Sequence, residues 1–268
     1  MKLDYGTQLS PEPIKLSIGT LKKPTLKAIY RISFEKFNTY EYFLKMTPEK
    51  YCTDKKNVEW NKKWESMSEK ERNAITLFDL IRVDEPLQET YCEVLNFFFV
   101  EKVIFKEDLF ILIDESNGES AEITLDNICG VIHEKTLQQT LEVIQQVCCI
   151  YEEEESTDGV KFKNNAAKKI FEKILSAQKE KKEKKKADIN MTLPNIISAV
   201  SNNHPSVTPM TVWDLTIFQL LDSFGRLQSR SIFQIDARRV SVWGDEKKTF
   251  DHALWYKNNY DVKKSDLF

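Results

Sequence analysis

The amino-acid sequence predicts a mainly α-helical protein with a small β-hairpin, built as two modules joined by a charged helix. Only 7 glycines and 8 prolines occur among 268 residues. So few turn signals favour long helices over a many-stranded sandwich or barrel. The composition, 41% hydrophobic and 30% charged, is typical of a globular protein with a charge-rich surface. A net charge of −3 gives no general argument for nucleic acid or an anionic membrane as a partner.

The predicted elements begin with a short strand and two helices. Residues 1–33 are punctuated by prolines and a glycine, and alternating apolar side chains within them favour one short strand. Residues 34–46 carry four aromatic side chains at three-residue spacing, which places them on one face of a helix. The alternative is that Asn38 and Thr39 divide this stretch into two short helices. Thr47 and Pro48 then predict the N-cap and the first position of a further helix.

Two more helices are predicted before the chain turns to β-structure. Ser68 and Glu71 have the spacing of a capping box, ahead of an apolar helical stretch at residues 74–81. Residues 85–100 form the next predicted helix, which opens with a proline and has apolar side chains at helical spacing.

The strongest β signal lies at residues 103–125. Asn117 and Gly118 separate runs that are rich in β-branched residues, and this pair is a strong short-range signal for a hairpin. A small β-hairpin is therefore predicted in this stretch. Asn127 is predicted to cap a helix over residues 128–151.

Charge and composition divide the chain into three parts. An acidic run at residues 152–155 is followed by Ser-Thr-Asp-Gly, which marks the end of an N-terminal domain, residues 1–155. Residues 156–187 predict a charged helical linker. Residues 188–268 predict a C-terminal helical module that is rich in aromatic residues.

The C-terminal module is predicted to contain several helices. Residues 193–200 form a short one, and Thr211 with Asp214 has the spacing of a capping box for the next. Residues 231–242 either continue as another helix or pair loosely. Residues 249–258 form a final amphipathic turn or helix.

No catalytic, cofactor-binding or metal site is predicted. The three histidines are scattered, and no histidine or cysteine pair has the spacing of a zinc site. The chain has no glycine-rich phosphate loop and no GxSxG sequence. The protein is therefore predicted not to be an enzyme and to need no cofactor.

Cysteine usage and hydropathy predict the compartment. Five cysteines, an odd number without CxxC spacing, favour reduced thiols in a reducing compartment. The N-terminus has no basic region followed by an apolar run, so no signal peptide is expected. The longest apolar run, residues 94–100, is too short to cross a bilayer. These observations predict a soluble intracellular protein with no membrane partner.

Aromatic residues are the most informative feature of the C-terminal module. Tryptophan and tyrosine near arginine match the composition of protein interfaces. Large side chains are also needed for the core of so small a module, so both interpretations stay open at this point. The candidate protein-interaction residues are Trp213, Phe218, Phe224, Arg226, Trp243, Trp255 and Tyr256.

A lysine-rich run stands at the end of the predicted linker. Residues 179–186 consist of lysines and two glutamates, which favours a solvated helix end that grades into a linker. The alternative is contact with nucleic acid or another anionic partner, which is weakened because no aromatic residue or arginine interleaves with the lysines. The candidate residues for that alternative are Lys181, Lys182, Lys184, Lys185 and Lys186.

Two stretches resemble proteins encoded in the structural gene clusters of tailed bacteriophages of Gram-positive hosts. The first comprises residues 16–29 and 39–44. The second comprises residues 213–228, 243–245 and 254–258. On these residues the chain looks like a phage tail assembly chaperone or a related tail morphogenesis protein.

The resemblance implies a mostly helical, non-enzymatic protein of the host cytoplasm. Such a protein binds the tape measure protein or tail tube subunits during assembly and has no cofactor. Retention in the virion and formation of homo-oligomers are left open. Two alternatives remain: a nucleic-acid-associated protein that uses the lysine run, and a phage effector that binds a host protein.

Overall fold

The computed structural model describes residues 1–115, 127–150, 190–246 and 248–257. About 58% of the described residues are helical, and two small antiparallel sheets account for the β-structure among them. The prediction of a mainly α fold with minor β-structure is therefore confirmed.

The chain divides into two compact units. The first comprises Met1–Ile150 and Trp213–Gln219, and the second comprises Tyr151–Val212 and Leu220–Phe268. The predicted domain boundaries, which follow residues 155 and 187, lie outside the described residues.

The first unit contains most of the secondary structure that is described. Its helices are α1 Tyr5–Leu9, α2 Leu26–Ile32, α3 Phe34–Leu44, α4 Pro48–Thr53, α5 Val58–Ser66, α6 Glu69–Ala74, α7 Leu77–Val83, α8 Glu85–Phe98 and α9 Glu134–Val147. Its strands are β1 Ile14–Leu16, β2 Gly19–Leu21, β3 Lys102–Lys106, β4 Leu109–Ile113 and β5 Ile128–Ile132.

Side-chain caps explain where several of these helices begin. Thr47 caps α4 and Ser68 caps α6, both as predicted. Thr76 then starts a separate helix, α7, through a capping box with Asp79. Of the apolar stretch predicted at residues 74–81, only residues 77–81 therefore belong to α7, because the cap at Thr76 interrupts the stretch.

The first unit contains two antiparallel sheets, one of β1 and β2 and one in the order β3-β4-β5. β3 and β4 are joined by Glu107 and Asp108, whose φ angles of 52° and 58° are the left-handed values that a two-residue hairpin turn requires. A hairpin is thus present in the predicted stretch. Asn117 and Gly118, the predicted turn, lie outside the described residues.

The predicted helix over residues 128–151 is wrong at its start, because residues 128–132 form β5 and pair with β4. A Cβ atom at Gly130 would lie 2.3 Å from the carbonyl oxygen of Ile18. Such a close approach of two backbones is a typical reason for glycine within a strand. His133, and not Asn127, caps the helix that follows, α9.

Asn96 on α8 forms hydrogen bonds with backbone groups at the outer edge of β3. Its Oδ1 accepts a hydrogen bond from the backbone N–H of Val103 at 2.8 Å, and its Nδ2 donates to the carbonyl oxygen of Val103 at 2.7 Å. One side chain therefore replaces the neighbouring strand at this position. Lys102 and Lys106 are exposed on the same strand, and charged edge residues discourage pairing with a foreign strand.

The second unit contains α10, Leu193–Asn203, and most of α11, Ile217–Trp243. α10 confirms the helix predicted at residues 193–200. The predicted cap of the next helix is wrong, because Thr211 precedes a short 3-10 helix and Thr216 starts α11. The Thr216 hydroxyl accepts from the N–H of Gln219 at 3.2 Å, and Gln219 Oε1 accepts from the N–H of Thr216 at 3.0 Å. This reciprocal pair is a capping box.

α11 is a continuous helix of 27 residues. It includes residues 231–242, which decides between the two alternatives for this stretch in favour of a helix. Residues 252–256 form turns and no regular helix. The long α11 and the turns after it carry most of the candidate interaction residues.

Candidate protein-binding surface

Trp213 and Phe218 pack within the first unit. The ring of Trp213 is half-buried, with its centroid 5.4 Å from that of Tyr30. The ring of Phe218 is buried and lies 6.1 Å from the ring of Tyr5. The core interpretation therefore describes Phe218, and Trp213 presents only part of its ring to solvent.

Phe224 and Arg226 lie in the first half of α11. Phe224 is half-buried. The guanidinium Nε of Arg226 lies 3.4 Å from a carboxylate oxygen of Asp222, and its Nη1 donates to the carbonyl oxygen of Lys257 at 3.0 Å. Arg226 thus connects α11 to the segment that follows it.

Trp243, Trp255 and Tyr256 are the exposed aromatic residues of the candidate set, and we call them the aromatic end. Trp243 is the last residue of α11 and is 77% exposed. Trp255 and Tyr256 are each more than half exposed, and their rings meet at a centroid distance of 5.1 Å in an edge-to-face arrangement. Three large rings are therefore available to a partner.

Asp245 and Phe250 hold the segment after α11 in place. The Asp245 carboxylate accepts hydrogen bonds from the backbone N–H groups of Thr249 and Phe250, each at 2.9 Å. These backbone hydrogen bonds lower the pKa of Asp245 below its usual value. The ring of Phe250 lies 5.4 Å from Phe233 on α11 and 4.6 Å from His252. The segment therefore covers the side of α11 on which Phe233 lies.

A second apolar side of α11 is exposed. Ile232, Ile235 and Val242, here called the α11 stripe, are 53%, 67% and 71% exposed. Their spacing of three and seven residues places them on one face. Leu221 and Phe224 lie earlier on the same face and are half-buried. The stripe is absent from the candidates predicted from sequence because residues 231–242 were treated as a separate element, although their helical spacing was a usable signal.

Comparison with known proteins adds one finding. Residues 180–260 match the family model of the YomV second domain. This family is phage-derived, and the match supports the phage part of the resemblance without extending to tail assembly. The match covers less than a third of the chain. No curated protein and no solved structure matches the chain.

The YomV-like segment, residues 180–260, contains every candidate interaction residue, including the aromatic end and the α11 stripe. It also contains residues 180–186 of the lysine run. Lys181, Lys182, Lys184, Lys185 and Lys186 lie outside the described residues, so their contact with an anionic partner stays a prediction.

A cleft of about 480 Å³ in the first unit is lined by charged side chains, and it lies outside the YomV-like segment. Its Lys22 Nζ donates to the carbonyl oxygen of Asn96 at 3.2 Å, and burial lowers the pKa of Lys22. Lys102 pairs with Glu115 at 2.7 Å, and the Glu101 carboxylate accepts from a backbone N–H of β2. These polar groups stabilise the sheet and α8.

Burial also affects the thiols of the first unit. It raises the pKa of Cys92 to about 11 and the pKa of Cys148 well above its usual value. Both thiols therefore stay protonated at neutral pH. Within the described residues, no group of three or more histidine, cysteine, aspartate or glutamate side chains could hold a metal ion. In the same part of the chain, no helix combines the length and apolar character needed to cross a membrane.

Proposed function

We propose that this chain is a non-enzymatic protein of phage tail morphogenesis, which binds the tape measure protein or tail tube subunits in the host cytoplasm during assembly. The observation that carries the proposal is the exposure of the aromatic end. Trp243, Trp255 and Tyr256 present three large rings to solvent in a segment that matches a phage-derived family.

The physical argument rests on what such rings contribute at an interface. Tryptophan and tyrosine are enriched among the residues that carry most of the binding energy, because they bury a large area with few rotatable bonds. Within the described part of the chain, Trp243 at the end of α11 leaves most of its ring exposed. The aromatic end is therefore the part of the molecule best suited to a protein partner.

The proposed mechanism is temporary shielding. Apolar helical segments of a tape measure protein are prone to aggregate before the tail tube encloses them. The aromatic end covers such segments and releases them when tube subunits compete for the same apolar surface. The phage-derived match supports a phage setting, and the resemblance described above supports the tail.

The test is affinity purification of the tagged full chain from phage-infected cells, followed by mass spectrometry. The combined variant Trp255→Ala and Tyr256→Ala is expected to lose the tail protein. Tyr42→Ala, an exposed tyrosine of the first unit, is the matched control and is expected to retain it.

The proposal is supported if the native chain and the control recover tape measure or tail tube protein and the combined variant does not. Recovery of only a host protein, or of nucleic acid in a strongly salt-dependent manner, contradicts it and favours one of the two alternatives. The same result for both variants would exclude the aromatic end as the binding surface.

A further inference from the structure

The α11 stripe is apolar surface that the described part of this chain leaves uncovered. Ile232, Ile235 and Val242 are each more than half exposed, whereas Phe233 on the other side of the helix is covered by Phe250. Exposed apolar residues that share one face of a helix form a candidate interaction surface. The spacing of the three residues is that of a helix that packs against a second helix at a shallow angle.

We propose that the α11 stripe pairs with the α11 stripe of a second copy of this chain, in antiparallel orientation. A two-fold axis near Ala237 sets Ile232 opposite Val242 of the second copy. The same axis sets Ile235 opposite the aliphatic stem of Arg239, which can pack on apolar surface while its charge stays in water. Each contact occurs twice, as in any two-fold interface. This inference goes beyond the proposed function and does not depend on it.

Charge determines the occupant and its orientation. Arg239 lies between the apolar residues of the stripe, and its Nε is 3.3 Å from Oδ1 of Asp236, with both side chains about 40% exposed. In the antiparallel pair each Arg239 comes close to Asp236 of the other copy, so two cations and two anions alternate around the axis. A parallel pair would set Arg239 against Arg239 and place like charges together. The stripe is therefore self-complementary only in the antiparallel orientation.

The size of the stripe sets the expected strength. Stable protein interfaces bury about 800 Å² on each partner. Three aliphatic side chains with parts of Arg239 and Trp243 provide less than that. The expected dimer is therefore weak and forms reversibly with increasing concentration.

The first test is sedimentation velocity of the full chain over a wide concentration range. The native chain is expected to show a reversible monomer–dimer equilibrium. Val242→Glu is expected to weaken the association at least tenfold, because it places a carboxylate against the apolar Ile232 of the other copy at each of two equivalent positions. Val83→Glu, which changes an equally exposed valine on α7, is the matched control and is expected to leave the association unchanged.

The second test addresses the charges. Arg239→Asp alone and Asp236→Arg alone are expected to weaken the dimer, and the double variant is expected to restore it. Circular dichroism of each variant checks that the helices are intact. For orientation, Ile232→Cys mixed with Val242→Cys is expected to give the mixed disulfide-linked dimer, whereas a parallel pair would give dimers of each variant with itself.

Two results would overturn the inference: a monomer at every concentration, or equal weakening by Val242→Glu and Val83→Glu. The combined Trp255→Ala and Tyr256→Ala variant separates the inference from the proposed function. It is expected to dimerise normally even where it loses the tail protein.

Discussion

Two helices of this protein, α8 and the C-terminal half of α11, have the same amphipathic spacing. The apolar face is buried in α8 and exposed in α11. The apolar positions of α8 are buried: Leu87, Tyr91, Val94, Leu95 and Phe98. Each residue of the α11 stripe, in contrast, is more than half exposed. Helical periodicity therefore indicates which face of a helix is apolar, while the rest of the fold decides whether the same chain covers that face.

The largest difference in stability is expected between one truncation on α8 and one on α11. Phe98→Ala is expected to lower the free energy of unfolding by about 3–5 kcal/mol, because the ring is fully buried and its loss leaves a cavity. Ile235→Ala is expected to change it by less than about 0.5 kcal/mol, as is usual at exposed sites. Both changes are measured by urea unfolding at a protein concentration below the dissociation constant of the dimer, where the monomer predominates. Equal losses would mean that the α11 stripe is covered within the monomer.

Gly130 and Gly225 differ in the space around them. Gly130→Ala is expected to destabilise the first unit by about 3 kcal/mol, because the new Cβ would lie 2.3 Å from the carbonyl oxygen of Ile18 and a backbone must move. Gly225→Ala is expected to stabilise by about 1 kcal/mol, because glycine costs that much within a helix and no atom lies within 4 Å of the new Cβ. Thermal melting of both variants checks the opposite signs. Destabilisation by Gly225→Ala would show that this side of α11 is closely packed.

The start of α8 is held by a carboxylate that can be removed. Asp84 Oδ2 accepts hydrogen bonds from the Tyr51 hydroxyl at 2.6 Å and the Trp60 indole N–H at 2.9 Å, and Oδ1 accepts from the N–H of Leu87 at 3.1 Å. Asp84→Ala is expected to cost about 2 kcal/mol, because it removes the cap of α8 and leaves two part-buried donors without an acceptor.

A double-mutant cycle with Tyr51→Phe tests this network in urea. The pKa of Tyr51 is raised first by burial and then by its hydrogen bond to Asp84. If the two losses add without any coupling, the hydrogen bond between these side chains contributes nothing to stability and this explanation of the cap is incorrect.

The features of this fold that depend on neighbouring residues could be predicted from the sequence. The features that depend on contacts between distant residues could not. Thr47 and Ser68 were identified as caps because a cap is decided by residues three positions apart. β5 was assigned to a helix because its strand character depends on β4 and on the approach of Ile18 to Gly130. No residue next to Gly130 in sequence signals that approach.

The candidate site shows the same limit. The sequence placed Phe218 and Trp243 in one set, since both are aromatic residues of the same module. The structure buries Phe218 beside Tyr5 and exposes Trp243. The difference arises because Tyr5 lies more than 200 residues away in the chain. Composition could therefore indicate an interaction surface but could not select its exposed members.

The smallest expected effect concerns the segment that covers one side of α11. The folded-state pKa of Asp245 is lowered by hydrogen bonds from the N–H groups of Phe250 and Thr249. A carboxyl group with a lowered pKa stabilises the folded segment fully above its unfolded pKa, about 4, and this contribution is lost as the pH falls through the folded pKa. The amides of Thr249 and Phe250 are therefore expected to lose protection from hydrogen exchange in acid, below about pH 4, before α8 unfolds.

Asp245→Asn is expected to weaken that protection at neutral pH and to remove its acid dependence. Glu246→Gln, the neighbouring exposed carboxylate, is the control and is expected to leave both unchanged. Protection of these two amides that persists down to pH 3 would show that Asp245 does not hold the segment. Ring packing between Phe250 and Phe233 would then be sufficient to hold the segment against α11. The two sides of this helix would then differ only in their apolar contacts.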